Sequence, residues 1–339
     1  MKLKLNNKIQ LVNWILTRKC NLECDYCGIV RNSNETIYPN INYYNSFQMN
    51  YNYVIESLEQ FKQYLPDCFH IFYGGEPFMF PHLDKVIQYC NDNNIWYTII
   101  TNNSKKIQPK IIKVLDKVGL FRGLTASIDP IIYDPIFHPS KKDRREKSLA
   151  GLENLISISD RVDDMMAEIT IDKSNLEYIY QLVEKLTKHK IWSSITFVDI
   201  KKSRYYDFSN VTDINELVDD TQALRSVCAK MIDDGLWIHM GEELLDRTLN
   251  ILPSTFNCEL ENYMHNLTID ADGSIRLCLR IKGKYTSDYY VKDFFNDFEN
   301  IHNAMIVDKK EYCKLCNWTC PIMSKLAVEE DMTKDILHI

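Results

Sequence analysis

No stretch of this chain approaches the ~18 consecutive apolar residues of a membrane-spanning helix. The first residues, MKLKLNNKIQLVNWIL, hold only a short apolar run with Asn inside it, so they read as a strand and not as a secretory signal. Basic charge is also in deficit. Forty Lys and Arg stand against 47 Asp and Glu, a formal net charge of −7. That argues against a broad electrostatic footprint for nucleic acid or for an anionic membrane. There is no internal repeat and no low-complexity segment. His70, His138, His239 and His265 show no ligand spacing and read as structural or surface residues. What is present is a chain of 339 residues with 45% hydrophobic and 26% charged side chains, enough for one large α/β domain or two domains around a sizeable core. It carries 11 cysteines, an odd number. Clustered thiols without a secretory signal point to metal binding in a reducing cytosol, not to disulfides.

The most informative cluster lies between Arg18 and Gly28, RKCNLECDYCG, with Cys20, Cys24 and Cys27 in a Cys-x3-Cys-x2-Cys run. Three thiolates this close cannot complete a tetrahedral zinc without a fourth ligand from elsewhere. They suit a cubane iron–sulfur cluster, in which each Cys takes one iron and one iron stays open. An open position on a metal is a reaction site. The alternatives are a structural zinc knuckle or a chance grouping of thiols.

Strand-like runs are expected at 9–16, 69–73, 95–101, 124–128, 167–171 and 194–198. Helical spacing is expected at 50–65, 81–93, 109–118, 147–158 and 176–188. Strands alternating with helices imply a parallel sheet with right-handed crossovers. Six units in about 190 residues fall short of a full eight-unit barrel. Beyond residue 200 the pattern changes to helices at 215–235 and 242–249, a β-hairpin at 267–279 turning at Asp270-Ala-Asp-Gly273, and a helical tail at 291–305. A second cysteine group follows: Cys258, Cys278, Cys313, Cys316 and Cys320.

Together these features resemble the radical S-adenosylmethionine (radical SAM) superfamily, whose signature Cys-x3-Cys-x-aromatic-Cys is met here with Tyr26 in the aromatic slot. The resemblance implies a partial (β/α)6 barrel of the TIM type, with Cys20, Cys24 and Cys27 holding a 4Fe-4S cluster that binds SAM. Gly74, Gly75, Glu76 and Pro77 resemble the family's motif for the SAM amino group. Thr101, Asn102, Ser127 and Asp129 stand where the family contacts the SAM ribose and carboxylate. Pro130 replaces a common Gly, and the basic residue that follows has no clean match; Lys141, Arg144 and Lys147 are candidates. Cys258 and Cys278, with Gly273 between them, resemble the start of the SPASM and twitch extensions, which carry auxiliary 4Fe-4S clusters. The tail implies one auxiliary cluster on four of the five cysteines, with Cys313 or Cys320 spare and zinc as the alternative.

The expected division is a core at 1–213, a helical linker at 214–257 and an auxiliary-cluster domain at 258–339. The resemblance implies reductive cleavage of SAM to a 5′-deoxyadenosyl radical and hydrogen abstraction from substrate. The substrate would be a ribosomally made peptide, epimerised or cross-linked. Dehydrogenation of a small molecule such as a sugar alcohol, or a non-catalytic iron–sulfur protein, are the alternatives. An electron donor such as flavodoxin or ferredoxin and a cytoplasmic location are implied. Only eight residues precede the first strand, so no separate N-terminal peptide-recognition domain is expected. Cys228 lies on one helical face with Leu217, Leu224 and Met231 and reads as a core thiol; its functional reading is a hydrogen-atom donor.

Overall fold

The computed structural model describes residues 11–22, 47–107, 109–115, 122–133, 142–160, 162, 165–171, 176–197, 221–238, 266–277 and 284–312. Its first six strands are β1 (Leu11–Thr17), β2 (Phe69–Gly74), β3 (Tyr97–Thr101), β4 (Arg122–Ile128), β5 (Met165–Ile171) and β6 (Trp192–Phe197). Each pairs in parallel with the next. The intervening helices are α1 (Tyr51–Tyr64), α2 (Leu83–Asp92), α3 (Pro109–Leu115), α4 (Lys142–Ser157) and α5 (Ile179–Lys188). Helix α6 (Thr221–Asp233) follows β6. The expected alternation therefore forms an open, parallel, partial barrel.

Local sequence explains these elements. Helix α1 begins where Asn50 Oδ1 accepts from the backbone N–H groups of Asn52 and Tyr53, and it stops at Leu65, the residue before Pro66. It buries Val54, Leu58 and Phe61 against the sheet. Helix α5 buries Ile179, Leu182, Val183 and Leu186, an i, i+3, i+4, i+7 face. Along β5 the buried positions alternate. Met165, Ala167, Ile169 and Ile171 join the main core under the helices. A much smaller apolar group, Ile15, Tyr73 and Ala271, lies on the inner face. Ile71 and Ile100 pack against that group, and the same face carries Asn13, Thr98, Thr125, Ser127 and Glu168, so it is more polar than the packed outer face.

The hairpin expected in the C-terminal unit also lengthens the barrel sheet. Strands β7 (Asn266–Ile269) and β8 (Ile275–Arg276) form it. β7 runs parallel to β1, with Leu11 opposite Asn266 and Trp14 opposite Ile269. The strand order is β6-β5-β4-β3-β2-β1-β7-β8. The expected boundaries at 213/214 and 257/258, and the expected helix at 242–249, lie outside the described residues.

Two side chains fasten the C-terminal part. Tyr53 of α1 donates its hydroxyl to the Gly273 carbonyl at 2.7 Å and accepts from the Val291 N–H at 3.0 Å. Burial pushes its phenol up to about 12, so it stays a donor. Asp308 belongs to the last helix, α8 (Phe298–Tyr312), which follows the short α7 (Val291–Phe294). Its fully buried carboxylate accepts from the N–H groups of Lys284, Tyr285 and Thr286 and from the Thr286 hydroxyl. Tyr53→Phe is expected to lower unfolding free energy by about 1–2 kcal/mol, since it leaves one donor and one acceptor without a partner. Urea unfolding measures this, and a change within error would show that the anchor carries no stability.

Candidate functional site

Parallel strands put their C-terminal ends on one side, and there the loops after β1 to β4 meet. Thr17 of β1 lies opposite Gly74 of β2. The Gly75 N–H donates to the Thr17 carbonyl at 2.7 Å, and the Glu76 N–H donates to the Lys19 carbonyl at 2.7 Å. The Gly-Gly step therefore lies directly against the chain that enters Cys20. Gly74 has φ +150°, and a Cβ there would sit 2.3 Å from the Thr17 carbonyl oxygen. At Gly75 a Cβ would sit 2.2 Å from the Lys19 carbonyl oxygen.

Glu76 is buried, at 4% exposure. Its Oε1 accepts from the Thr101 hydroxyl at 2.7 Å and from the Phe78 N–H at 3.0 Å. Its Oε2 accepts from the Asn102 N–H at 2.9 Å. Burial raises its pKa against the pull of these three donors. Three of the carboxylate's roughly four acceptor positions are thus committed inside the protein. The carboxylate braces the end of β2 to the end of β3.

Asn102 continues the brace to the cysteine loop. Its amide nitrogen donates to Asn21 Oδ1 at 3.1 Å and lies 3.8 Å from Cys20 Sγ. Its Oδ1 accepts from the Ser104 N–H and hydroxyl, and Asn21 Nδ2 donates to the Ser104 hydroxyl. Lys147 of α4 donates to the Asn21 carbonyl at 3.2 Å. The Cys20 sulfur also accepts from the Leu22 N–H at 3.4 Å. A half-buried cysteine just past a strand end, with N–H donors aimed at its sulfur, suits a metal ligand, whose electronics such donors tune. Asn21 and Ser104 carry no signal in the sequence, where they are two polar loop residues among many.

Ser127 is half-buried on the inner face of β4. Across the sheet the register sets Glu168 of β5 opposite Ser127, and Ser194 of β6 opposite Glu168. Desolvation raises the Glu168 pKa at this inward position. Its only sequence signal is an acid at an inward position of an otherwise apolar strand. Asp129 is buried and opens a 3-10 turn through its carbonyl, which accepts from Ile132 N–H.

Cys24, Tyr26, Cys27, Lys141, Cys258, Cys278, Cys313, Cys316 and Cys320 lie outside the described residues, as does the side chain of Arg144. Cys228 is fully buried in the main core with Leu224 and Met231, and burial pushes its thiol up to about 12. It lies in the packed core, not among the strand-end loops. Cys228→Ala is expected to cost about 1–2 kcal/mol of stability and to leave intact the SAM cleavage that the cysteine motif implies. Thermal melts and a 5′-deoxyadenosine assay measure both. An unaltered melt with loss of an inverted peptide product would instead make the thiol a hydrogen donor.

Beneath the cysteine loop, Arg18 is fully buried and chelates Asp270. Its Nε and terminal nitrogen lie 3.0 and 2.7 Å from Oδ1, and that terminal nitrogen lies 2.7 Å from Oδ2. Arg276 donates to Oδ2 of the same carboxylate at 2.6 Å.

Among the described residues no helix is long and apolar enough to cross a membrane. The sequence profile of the radical SAM superfamily matches residues 14–186. No curated protein matches the sequence. Among solved structures, the chain is similar to Streptococcus suis SuiB bound to its precursor peptide SuiA, with 15% identity, a TM-score of 0.61, and coverage of 88% of this chain and 67% of that one. It is also similar to anSMEcpe with bound AdoMet and the Cp18Cys peptide, with 12% identity, a TM-score of 0.59, and coverage of 97% and 99%. SuiB bound to S-adenosylmethionine gives 14% identity, a TM-score of 0.59, and coverage of 88% and 68%.

Proposed function

The chain belongs to the radical SAM superfamily and is an enzyme of that family, and from this premise we propose that it modifies a ribosomally synthesised peptide by epimerisation or cross-linking. The observation that carries the SAM site is the meeting of Cys20, Gly74–Pro77, Thr101–Asn102 and Ser127 at one end of the sheet. Support for a peptide substrate comes from the two similar structures that contain one, SuiB with SuiA and anSMEcpe with Cp18Cys.

In this reading Cys20, Cys24 and Cys27 hold a 4Fe-4S cluster. Gly74, Gly75, Glu76, Pro77, Thr101, Asn102, Ser127 and Asp129 border SAM, joined by Tyr26 and Arg144. When bound, cluster and SAM supply a one-electron cleavage and the 5′-deoxyadenosyl radical that takes a hydrogen atom from substrate. The protein contributes positioning. Glu76 and Asn102 hold the β2 and β3 loops against the Cys20 loop, and the glycines let the backbone approach. The inner face offers Ser127, Glu168 and Ser194 as polar contacts. Four of Cys258, Cys278, Cys313, Cys316 and Cys320 hold one auxiliary 4Fe-4S cluster, and reduction comes from a flavodoxin or ferredoxin.

The test is anaerobic reconstitution, iron counting, and reduction in the presence of SAM and of peptides encoded beside the gene. Roughly eight irons per chain are expected for two cubanes, with 5′-deoxyadenosine formed and a peptide changed in mass or in residue chirality. A two-dalton loss in a small metabolite, with no peptide changed, would transfer the assignment to dehydrogenation. Absence of 5′-deoxyadenosine would overturn the SAM site itself.

A further inference from the structure

Asp270 opens the hairpin turn, where an aspartate is ordinary turn chemistry. The turn, however, has a second aspartate to serve it: Asp272 Oδ1 accepts from the Ser274 N–H and hydroxyl. The Asp270 carboxylate is given over largely to two arginines. Arg18 grips both oxygens, and Arg276 reaches Oδ2 from the returning strand. All three side chains are at most 2% exposed. Arg18 is separated from Asp270 by 252 positions in the sequence.

The arginines occupy matching places. Arg18 stands two residues before Cys20, and Arg276 stands two residues before Cys278. The geometry points to Asp270 as a positioning residue that ties both cysteine-bearing segments to one buried carboxylate, so that events at the Cys278 segment are felt at the SAM cluster. This rests on the reading of Cys278 as an auxiliary-cluster ligand.

Three features make the tie stiff. Separating a buried guanidinium from a carboxylate it chelates is costly, so each arginine resists moving away from Asp270. Asp270 directly follows β7, whose last residue, Ile269, pairs with Trp14 of β1, four residues before Arg18, so the sheet pairing holds the two segments side by side. The backbone of Arg18 is held as well. Its N–H donates to the Phe47 carbonyl, and its own carbonyl lies 2.6 Å from where a Cβ on Gly75 would be. A displacement at Arg276 therefore reaches the Cys20 loop and the Gly-Gly step through one ion-paired unit. Two sites biased through one such unit have a coupling that shows as a change in affinity.

The experiment uses full-length, anaerobically reconstituted protein and a thermodynamic cycle of Cys278→Ala and Arg276→Met. Arg276→Met leaves the Arg18–Asp270 chelate in place. The readouts are iron per chain, the electron paramagnetic resonance spectrum of the reduced SAM cluster, and the SAM dissociation constant. In the natural background, Cys278→Ala is expected to weaken SAM binding by about tenfold and to alter the SAM-cluster spectrum. In the Arg276→Met background the same change is expected to do neither, and Arg276→Lys is expected to restore the coupling. Should Arg276→Met fold poorly, the contrast of Arg276→Gln with Arg276→Lys gives the same readout. Equal effects of Cys278→Ala in both backgrounds, or no effect in the natural one, would overturn the coupling with the auxiliary reading intact. Only four irons per natural chain would overturn the auxiliary reading, and the coupling with it.

Discussion

Gly75→Ala should reduce 5′-deoxyadenosine formation by about 100-fold or more while the protein remains folded. The new Cβ would lie 2.2 Å from the Lys19 carbonyl oxygen, 2.5 Å from its carbon and 2.6 Å from the Arg18 carbonyl oxygen. All three are backbone atoms, so no side chain can turn aside. Relief needs a shift of about 1 Å in the segment that enters Cys20, and a misplacement of that size is enough to cost two orders of magnitude in a positioned reaction. The substitution isolates space from strain, because Gly75 lacks the positive φ of Gly74. Gly235→Ala is the control. Its φ of +69° makes it strained, but nothing lies within 4 Å of the added Cβ. It should lower the melting temperature modestly and leave SAM cleavage alone. The measurements are product formation by mass spectrometry and melts on reconstituted protein. A Gly75→Ala enzyme with natural turnover would show that the Gly-Gly step does not set the loop's position.

What could be read in the sequence was local. The alternation of strands and helices follows from apolar spacing, and the six parallel strands lie within a few residues of where that spacing puts them. Helix α4 starts at Lys142, five residues before the expected 147, because the charged KDRREK stretch is helical although its pattern reads as solvated. The cysteine loop and the Gly-Gly-Glu-Pro step were visible because their types and spacing carry chemistry by themselves. The contacts between them were not. Glu76 reads as an acceptor for a ligand ammonium, yet its oxygens take Thr101, Phe78 and Asn102 donors that only the β2–β3 register supplies. Likewise the hairpin at 266–276 is legible as a hairpin, but its pairing with β1 depends on strands some 250 positions apart. The Arg18–Asp270–Arg276 bridge rests on that same pairing. Local periodicity carries no information about it.

His70 should make stability fall with acid well above the range where carboxylates titrate. It is fully buried at the start of β2, where the Trp14 indole N–H donates to its Nδ1 at 3.0 Å. An indole can only donate, so the ring proton must sit on Nε2, which faces Cys68 Sγ at 3.3 Å. Adding a second proton at Nδ1 would set two donors against each other in a dry core, and burial holds the pKa down to about 3, below the ordinary 6.5. The folded state thus binds the proton less readily than the unfolded chain. The stability that comes from the neutral ring is complete above pH 6.5 and is lost as the pH falls from there toward 3. Linkage puts the loss at about 2 kcal/mol by pH 5 and roughly 4–5 kcal/mol over the whole window. His70→Gln keeps an acceptor for the indole and removes the titration. It should be less stable than the natural protein at pH 7, and its unfolding free energy should decline by about 2 kcal/mol less between pH 7 and pH 5. Urea unfolding of both proteins at matched iron content across that range gives the comparison, and parallel pH profiles would show that the buried imidazole is not the group responsible.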